Sequence, residues 1–152
     1  MQHKLATWVA TAPSRRVERL LHLITHLEWL AEAARITLAS KGAYNPGVDG
    51  VNKTTLQARL AAELQIVRDE LLSSCYQPLP ARRVYIPKSK GKQRPLGIPT
   101  LRDRIVQRAM LMAMEPTWES YFHTLSHGFR PGRSVHHAIR TVKLQLTDCG
   151  ET

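Results

Sequence analysis

The sequence has few of the residues that mark secreted or membrane proteins. Its 152 residues include only two cysteines, Cys75 and Cys149, and no C-x-x-C spacing, which indicates buried thiols in a reducing compartment. No apolar run approaches the roughly 18 residues that span a bilayer, and the amino terminus lacks a signal-peptide core. We therefore expect a cytoplasmic protein without a membrane partner.

Patterns of catalytic and metal-binding residues are also missing. His22 and His26 are four residues apart, as are His123 and His127, but neither pair has an obvious third ligand, and H-E-x-x-H is absent. No Gly-x-x-x-x-Gly-Lys loop, Ser-His-Asp set or close carboxylate pair occurs. From these residues alone we expect a binding protein with no metal or cofactor.

Acidic residues are scarce, and the charge is uneven along the chain. Lys and Arg number 22 against 12 Asp and Glu, a net charge of +10. Residues 82–152 hold thirteen basic and five acidic residues, whereas residues 1–81 hold nine and seven. Such asymmetry indicates that the second half binds a polyanion. The alternative of a basic surface that only aids solubility stays open.

Apolar periodicity and turn signals predict one mostly helical α+β domain over 1–152. The apolar repeat Val17–Leu38 predicts an amino-terminal helix. A second helix is expected to start at Thr54 or Thr55 and to break before Gln77. The predicted segments are the amino-terminal helix (1–43), a loop (44–51), the second helix (52–80), a basic hairpin (81–99), and helices with a further loop (100–152).

Capping residues and breakers predict the last segments. Thr100 caps a helix with Asp103 reaching back, in a variant of the capping box. Glu115-Pro116 is expected to end or kink this helix, with a short helical turn around Trp118 after it. Ser134 caps the last helix, whose inward face is predicted from apolar spacing. That face consists of Val135, Ala138, Ile139, Val142 and Leu146.

The run Val84–Pro99 predicts the hairpin, because two short apolar segments flank a turn that contains a glycine. Its prolines cannot donate ladder hydrogen bonds, so we expect an edge or free-standing ribbon. Residues 82–108 hold nine cations and one anion. Such a ribbon can bracket phosphates, with a forked contact from Arg94 and a point-charge contact from Lys88. The other cations predicted to contact RNA are Arg82, Arg83, Lys90, Lys92, Arg102, Arg104 and Arg108.

The loop 126–133 places Phe129 beside Arg130, with Arg133 following closely. An exposed aromatic next to arginines suits stacking on a base or packing on a sugar, together with contact to backbone phosphates. A second interpretation is equally compatible with the residues: Phe129 fills the core and the glycines serve the turn.

Three blocks together resemble one family. RRVYIPKSKGKQRPLGIPTLRDRIVQ (82–107) resembles the first fingers block of bacterial group II intron reverse transcriptases. SHGFRPGRS (126–134) is similar to their second block. NPGVDG (45–50) is similar to the extension loop that these enzymes share with non-retroviral relatives. The chain thus resembles the amino-terminal part of a group II intron-encoded reverse transcriptase and maturase.

The resemblance implies the fingers of a right-hand polymerase. It places Lys88 and Arg94 at the positions that grip the triphosphate of the incoming nucleotide. It also places Phe129 and Arg130 against the backbone of template or primer. The implied partners are group II intron RNA, which maturases help to splice, and a template–primer duplex. The loop implied to cover the template includes Asn45, Gly47, Val48 and Asp49.

In the family, the carboxylates that bind Mg²⁺ lie in the palm, beyond the segment that this chain resembles. Polymerisation needs such carboxylates around two metal ions, and the residues up to Thr152 include no counterpart of the palm, thumb or maturase domain. We therefore expect these residues alone to be inactive as a polymerase and to need Mg²⁺ only in a complete enzyme. A palm polypeptide or a second copy is the expected protein partner. The alternative is a stand-alone RNA-binding factor in splicing or regulation, without catalysis.

Overall fold

The computed structural model describes residues 20–88 and 92–148, in two compact units that meet in sequence between Met114 and Glu115. Within these ranges no helix combines the length and the apolarity needed to cross a bilayer. The mostly helical α+β class is confirmed. The elements are α1 (Leu20–Ile24), α2 (Leu27–Ala39), a 3₁₀ turn (Lys41–Tyr44), α3 (Lys53–Gln57), α4 (Leu60–Leu72), β1 (Arg82–Pro87), β2 (Gln93–Ile98), α5 (Leu101–Tyr121) and α6 (Val135–Asp148).

The predicted amino-terminal helix is divided between α1 and α2. The break lies at Thr25, whose hydroxyl donates to the carbonyl of Leu21 at 2.9 Å, and at His26, whose backbone is extended. A Thr hydroxyl that bonds back to the preceding turn competes with helix propagation. α2 then ends at Ala39, and the chain continues as the 3₁₀ turn. The part of this prediction over 1–19 lies outside the described residues.

The second predicted helix, over 52–80, is also divided, into α3 and α4. The expected caps, Thr54 and Thr55, are wrong, because Asn52 caps α3: its side-chain oxygen accepts the amide of Thr55 at 3.0 Å. Asn is among the strongest N-cap residues. Arg59 separates the two helices with a non-helical backbone (φ −130°, ψ 21°).

The core of the first unit is built mainly by α2, α4 and α5. The indole Nε1 of Trp29 donates to the carbonyl of Ala109 at 3.0 Å, and this buried bond ties α2 to α5. Leu30 and Ile105 are almost inaccessible. Complete burial of such a side chain contributes about 1.5–3 kcal/mol. The remaining buried apolar residues are Ile24, Ala33, Ala34, Leu38, Ala43, Leu56, Leu64, Val67, Leu101, Val106, Met112 and Ala113.

The predicted hairpin is confirmed, and its strands are longer than expected. β1 and β2 form a two-stranded antiparallel ribbon, with no third strand among the described residues. Just beyond the strands, the amide of Lys88 donates to the carbonyl of Lys92 at 2.7 Å. The turn at 89–91 lies outside the described residues. The register runs from Arg82 opposite Ile98 to Pro87 opposite Gln93.

The predicted starts of α5 and α6 are confirmed. The amide of Asp103 donates to the Thr100 hydroxyl at 3.1 Å, and the amide of His137 donates to the Ser134 hydroxyl at 3.4 Å. Of the two effects predicted for Glu115-Pro116, an end or a kink, the end is wrong, because α5 continues through Pro116 to Tyr121 and includes the turn expected around Trp118. A proline removes one amide donor from a helix, and here the helix tolerates that loss.

The inward face predicted for α6 is wrong for its large residues. Val135 and Leu146 are 73% and 70% exposed, and Ile139 and Val142 are about half exposed. Ala138 alone of the predicted face is half-buried. No apolar side chain described after Met114 is buried. The spacing therefore identified an apolar stripe correctly, but this unit does not cover it.

Candidate nucleic-acid interface

Strand alternation sorts the hairpin cations onto two faces. Side chains alternate along a strand, and residues paired across two strands share a face. Arg94 is paired with Ile86, and Lys88 meets Lys92 just beyond the strands. Lys88, Lys92 and Arg94 therefore share one face at the hairpin end, which we call the tip face. Arg83 follows the opposite alternation and lies on the other face.

The tip face carries positive charge that no neighbouring described residue neutralises. Its three cations are exposed, and none of them has a side-chain hydrogen bond or ion pair with another described residue. The only acid between 82 and 108 is Asp103, which is buried. Pro87 and Pro95 stiffen the two arms, so less entropy is lost when a ligand arrives. Lys90, also predicted to contact RNA, lies outside the described residues.

The loop 44–51 is held against the base of the hairpin and the start of α5. The Nε of Arg82 donates to the carbonyl of Pro46 at 3.0 Å. Gly47 is buried, and a Cβ there would lie 2.7 Å from the Cα of Thr100. Only glycine fits this contact without a shift of backbone. Arg82 is thus half-buried and fastens the loop.

The outer part of the same loop presents the other predicted template residues. Asn45, Val48 and Asp49 are exposed. The Asp49 carboxylate accepts the amide of Val51 at 3.2 Å, a turn that Asp commonly makes, and Gly50 follows Asp49 with φ +70°. The structure therefore brings this loop and the hairpin base together.

Two arginines of α5 differ in their availability. Arg104 donates to three backbone carbonyls, those of Pro99 (2.9 Å), Gly42 (2.9 Å) and Asn45 (2.7 Å). Burial lowers its pKa from the ordinary range of arginine. Arg108 is half-buried and lines a shallow cavity of about 300 Å³ with Arg104. Through its hydrogen bonds to backbone carbonyls, Arg104 stabilises the 44–51 loop.

Arg102 faces acidic side chains of α4. Its guanidinium lies 3.6 Å from the carboxylate of Glu63, is ion-paired with Glu70, and sits 5.8 Å above the ring of Tyr76. Burial lowers the pKa of Arg102, but hydrogen bonding and the charges of Glu70 and Glu63 outweigh this and raise it. Arg102 thus joins α4 to α5.

Asp103 has a larger role than the cap predicted for it. Its carboxylate accepts the hydroxyl of Thr100 at 2.6 Å, the amide of Leu79 at 3.3 Å and the hydroxyl of Tyr76. Burial, followed by the bond to Asp103, raises the pKa of Tyr76 above its ordinary value. The sequence signal for this role of Asp103 was that it is the single acid among nine cations in residues 82–108.

The loop 126–133 exposes Phe129 and is stabilised by hydrogen bonds that Arg130 donates. Phe129 is fully exposed, at 112% of its reference area, so the core-filling interpretation is wrong. Arg130 is nearly buried: it donates to Glu119 at 2.6 Å and to the carbonyls of His123 and Ser126 at 2.9 Å. Its contacts are therefore within the chain.

Two neighbours of Arg130 add to these contacts within the chain. Arg133 donates to the carbonyl of Thr124 at 3.1 Å and remains exposed. The hydrogen bond from Arg130 holds the pKa of Glu119 below its ordinary value.

Within 20–88 and 92–148, no three His, Cys, Asp or Glu side chains converge as a metal site.

Comparison with known proteins supplies the family. No protein-family model matches this chain. It is 84% identical to protein YkfC of Escherichia coli K12 over 152 residues, which are all of this chain and 40% of that protein. It is 38% identical to the group II intron-encoded protein LtrA of Lactococcus lactis over 110 residues, 71% of this chain and 18% of LtrA.

An intron maturase of a plant is also similar to this chain. The mitochondrial nuclear intron maturase 1 of Arabidopsis thaliana is 47% identical over 58 residues, 36% of this chain and 8% of the maturase. The chain therefore spans less than half the length of each of these relatives. By homology it belongs to the family of group II intron-encoded proteins and intron maturases.

Proposed function

We propose that this chain binds RNA as the fingers segment of a group II intron reverse transcriptase and maturase. The tip face carries this proposal: three exposed cations on one face of a stiffened ribbon, unpaired with any described residue. Lys and Arg side chains that neutralise phosphates are the main source of affinity for nucleic acids. The homologous group II intron-encoded protein and nuclear intron maturase support an intron RNA as the partner.

Within the tip face, Lys88 and Arg94 hold phosphates of the incoming nucleotide. They are diagonal neighbours across the ribbon, a relation with a typical separation of about 7–8 Å. Arg94 makes the forked contact to phosphate oxygens and Lys88 the compact point-charge contact. In a complete polymerase Mg²⁺ would supply stabilisation of the charge that develops on the phosphates, and among the described residues no three His, Cys, Asp or Glu side chains converge to hold it. The hairpin's part is to position phosphates and offset their charge.

The alternative is an RNA-binding factor in splicing or regulation that takes no nucleotide. Both functions use the tip face, and they differ in whether a nucleoside triphosphate competes for it. A template–primer duplex and a palm polypeptide belong to the polymerase proposal alone. Binding measurements with the two ligands therefore separate the functions.

The proposal predicts a face-dependent loss of binding. Fluorescence anisotropy would measure the affinity of the chain for a labelled single-stranded RNA across a salt series. Lys92→Ala and Arg94→Ala should each reduce the magnitude of the salt slope by about 0.7, the value for one phosphate contact on a single strand. A fluorescent deoxynucleoside triphosphate should bind roughly tenfold more weakly to Lys88→Ala and Arg94→Ala.

Arg83→Ala is the matched control, because it removes one exposed cation from the opposite face of the same ribbon. The proposal departs here from the sequence-based prediction that Arg83 contacts RNA, and this variant should leave both affinities within about twofold. Equal losses in Arg83→Ala and Arg94→Ala would contradict a specific tip face. RNA binding without any triphosphate binding would favour the RNA-binding factor over the polymerase.

A further inference from the structure

The loop 126–133 displays one aromatic ring at the surface. Phe129 has φ +58°, a left-handed backbone conformation that bulky residues rarely adopt. Its side chain is fully exposed, so packing of the ring does not maintain this conformation. The surrounding loop must therefore hold it.

Arg130 supplies that support. Its Nη1 donates to the carbonyls of His123 and Ser126, while Nε and Nη2 donate to the carboxylate of Glu119. The guanidinium also lies 5.3 Å above the ring of Phe122. One nearly buried side chain thus joins the end of α5 to the start of the loop and to the segment before it, and the residue beside it is directed outward.

Space around Phe129 is open to a flat ligand. A Cβ added at Gly128 or at Gly132 would meet nothing within 4 Å, and Pro131 is exposed. The two glycines have no side chain that could cover the ring. The ring is therefore accessible from the solvent.

We infer that Phe129 stacks on an unpaired nucleobase of RNA and that Arg130 is the positioning residue that presents it. Stacking needs an exposed π-face and tolerates any base, and bases of single strands and loops are free to stack. The carboxylate of Glu119 is paired with Arg130, and residues 120–147 contain no acid but include Arg133, Arg140 and Lys143, so this part of the chain has a net positive charge that attracts a polyanion. The inference rests on the proposed RNA binding.

The test compares a single-stranded RNA 12-mer containing one 2-aminopurine with the same RNA annealed to its complement. Phe129→Ala should weaken single-strand binding roughly 5- to 150-fold, the equivalent of about 1–3 kcal/mol for one stacked base. Duplex binding should change less than about twofold. Phe129→Trp should retain both the affinity and the quenching of 2-aminopurine, and Phe129→Leu should lose both, since leucine is apolar but has no π-face.

Arg130→Ala distinguishes positioning from direct contact. It should weaken single-strand binding in the native background and have no further effect in Phe129→Ala, whereas a direct phosphate contact would persist there. Unchanged single-strand affinity in Phe129→Ala, or full retention by Phe129→Leu, would overturn the inference while RNA binding by the tip face stands. Absence of RNA binding by the native chain would instead overturn the proposed function.

Discussion

Asp103 is the only acid between residues 82 and 108, and it is buried beneath the base of the hairpin. It accepts hydrogen bonds from Tyr76 and Leu79, in the segment between α4 and β1, and from Thr100 at the start of α5. A buried carboxylate is stable only when such donors replace water. Asp103 therefore links the hairpin base to the helical core.

The Tyr76–Asp103 bond predicts a pH dependence of stability. Burial and the Asp103 carboxylate raise the pKa of Tyr76 above its ordinary value of 10.0. A group whose folded pKa is raised contributes stability that is present below the unfolded pKa and is lost as pH rises above it. The free energy of unfolding should therefore fall between pH 10 and 11 more steeply in the native chain than in Tyr76→Phe.

Urea unfolding of both proteins from pH 8 to pH 11 measures this difference. At pH 8, Tyr76→Phe should be less stable by about 1.5 kcal/mol, since it removes one hydrogen bond to a carboxylate. Parallel pH profiles for the two proteins would show that Tyr76 does not sense the buried carboxylate.

At the scale of elements, arginines predicted to contact RNA fasten the segments around the candidate interface. Arg82 donates to a carbonyl of the 44–51 loop, and Arg104 donates to one carbonyl of that loop and to the carbonyl of Gly42. Arg102 is ion-paired with α4. The exposed cations of the tip face, Lys88, Lys92 and Arg94, project from this supported base.

Close packing at Gly47 predicts the cost of disturbing this loop. Gly47→Ala would place a Cβ 2.7 Å from the Cα and 2.8 Å from the amide nitrogen of Thr100. Since both are backbone atoms, the loop or the start of α5 must shift, at a cost of about 1–3 kcal/mol. Urea unfolding should report that loss of stability, together with weaker RNA binding if the loop contacts RNA.

Gly42→Ala is the matched control for Gly47→Ala. Its Cβ would lie 3.8 Å from the Ser40 hydroxyl, an ordinary contact, so stability should change by less than about 0.5 kcal/mol. Equal stability losses for the two variants would show that the Gly47–Thr100 contact does not hold the loop.

At the scale of the whole molecule, a net charge of +10 coexists with an uncovered apolar stripe. On α6, Val135, Ile139, Val142 and Leu146 recur at helical spacing and are 49–73% exposed. Exposed apolar patches of a few hundred Å² commonly mark interaction sites. The stripe is thus a surface that either of the protein partners expected from the sequence, a palm polypeptide or a second copy of the chain, would cover.

Self-association should depend on that stripe. Sedimentation velocity of the native chain should show a monomer–dimer mixture that shifts with protein concentration, and Ile139→Glu with Val142→Glu should abolish the dimer, because buried unpaired charges are costly. Leu144→Glu is the control, since Leu144 is 56% exposed on another side of α6. A native chain that stays monomeric at every concentration would contradict the homodimer.

Several features of the protein could be predicted from sequence alone, because their causes are local. Two short apolar segments around a turn with a glycine predicted the hairpin, Thr100 and Ser134 predicted two helix starts, and the quoted blocks identified the family. The division of the two long helices was not predicted, because their apolar repeats continue across the breaks. The break at Thr25 comes from a side-chain hydrogen bond and the break at Arg59 from a non-helical backbone, and apolar periodicity detects neither.

Only the tertiary structure decided the roles of the charged and aromatic residues. Arg94 and Arg102 are equally basic in sequence, but one is exposed at the tip and the other is ion-paired with α4. Phe129 was undecided until its full exposure was seen. Exposure and partners depend on residues distant in sequence, such as Glu70 for Arg102, and composition or spacing cannot identify such partners.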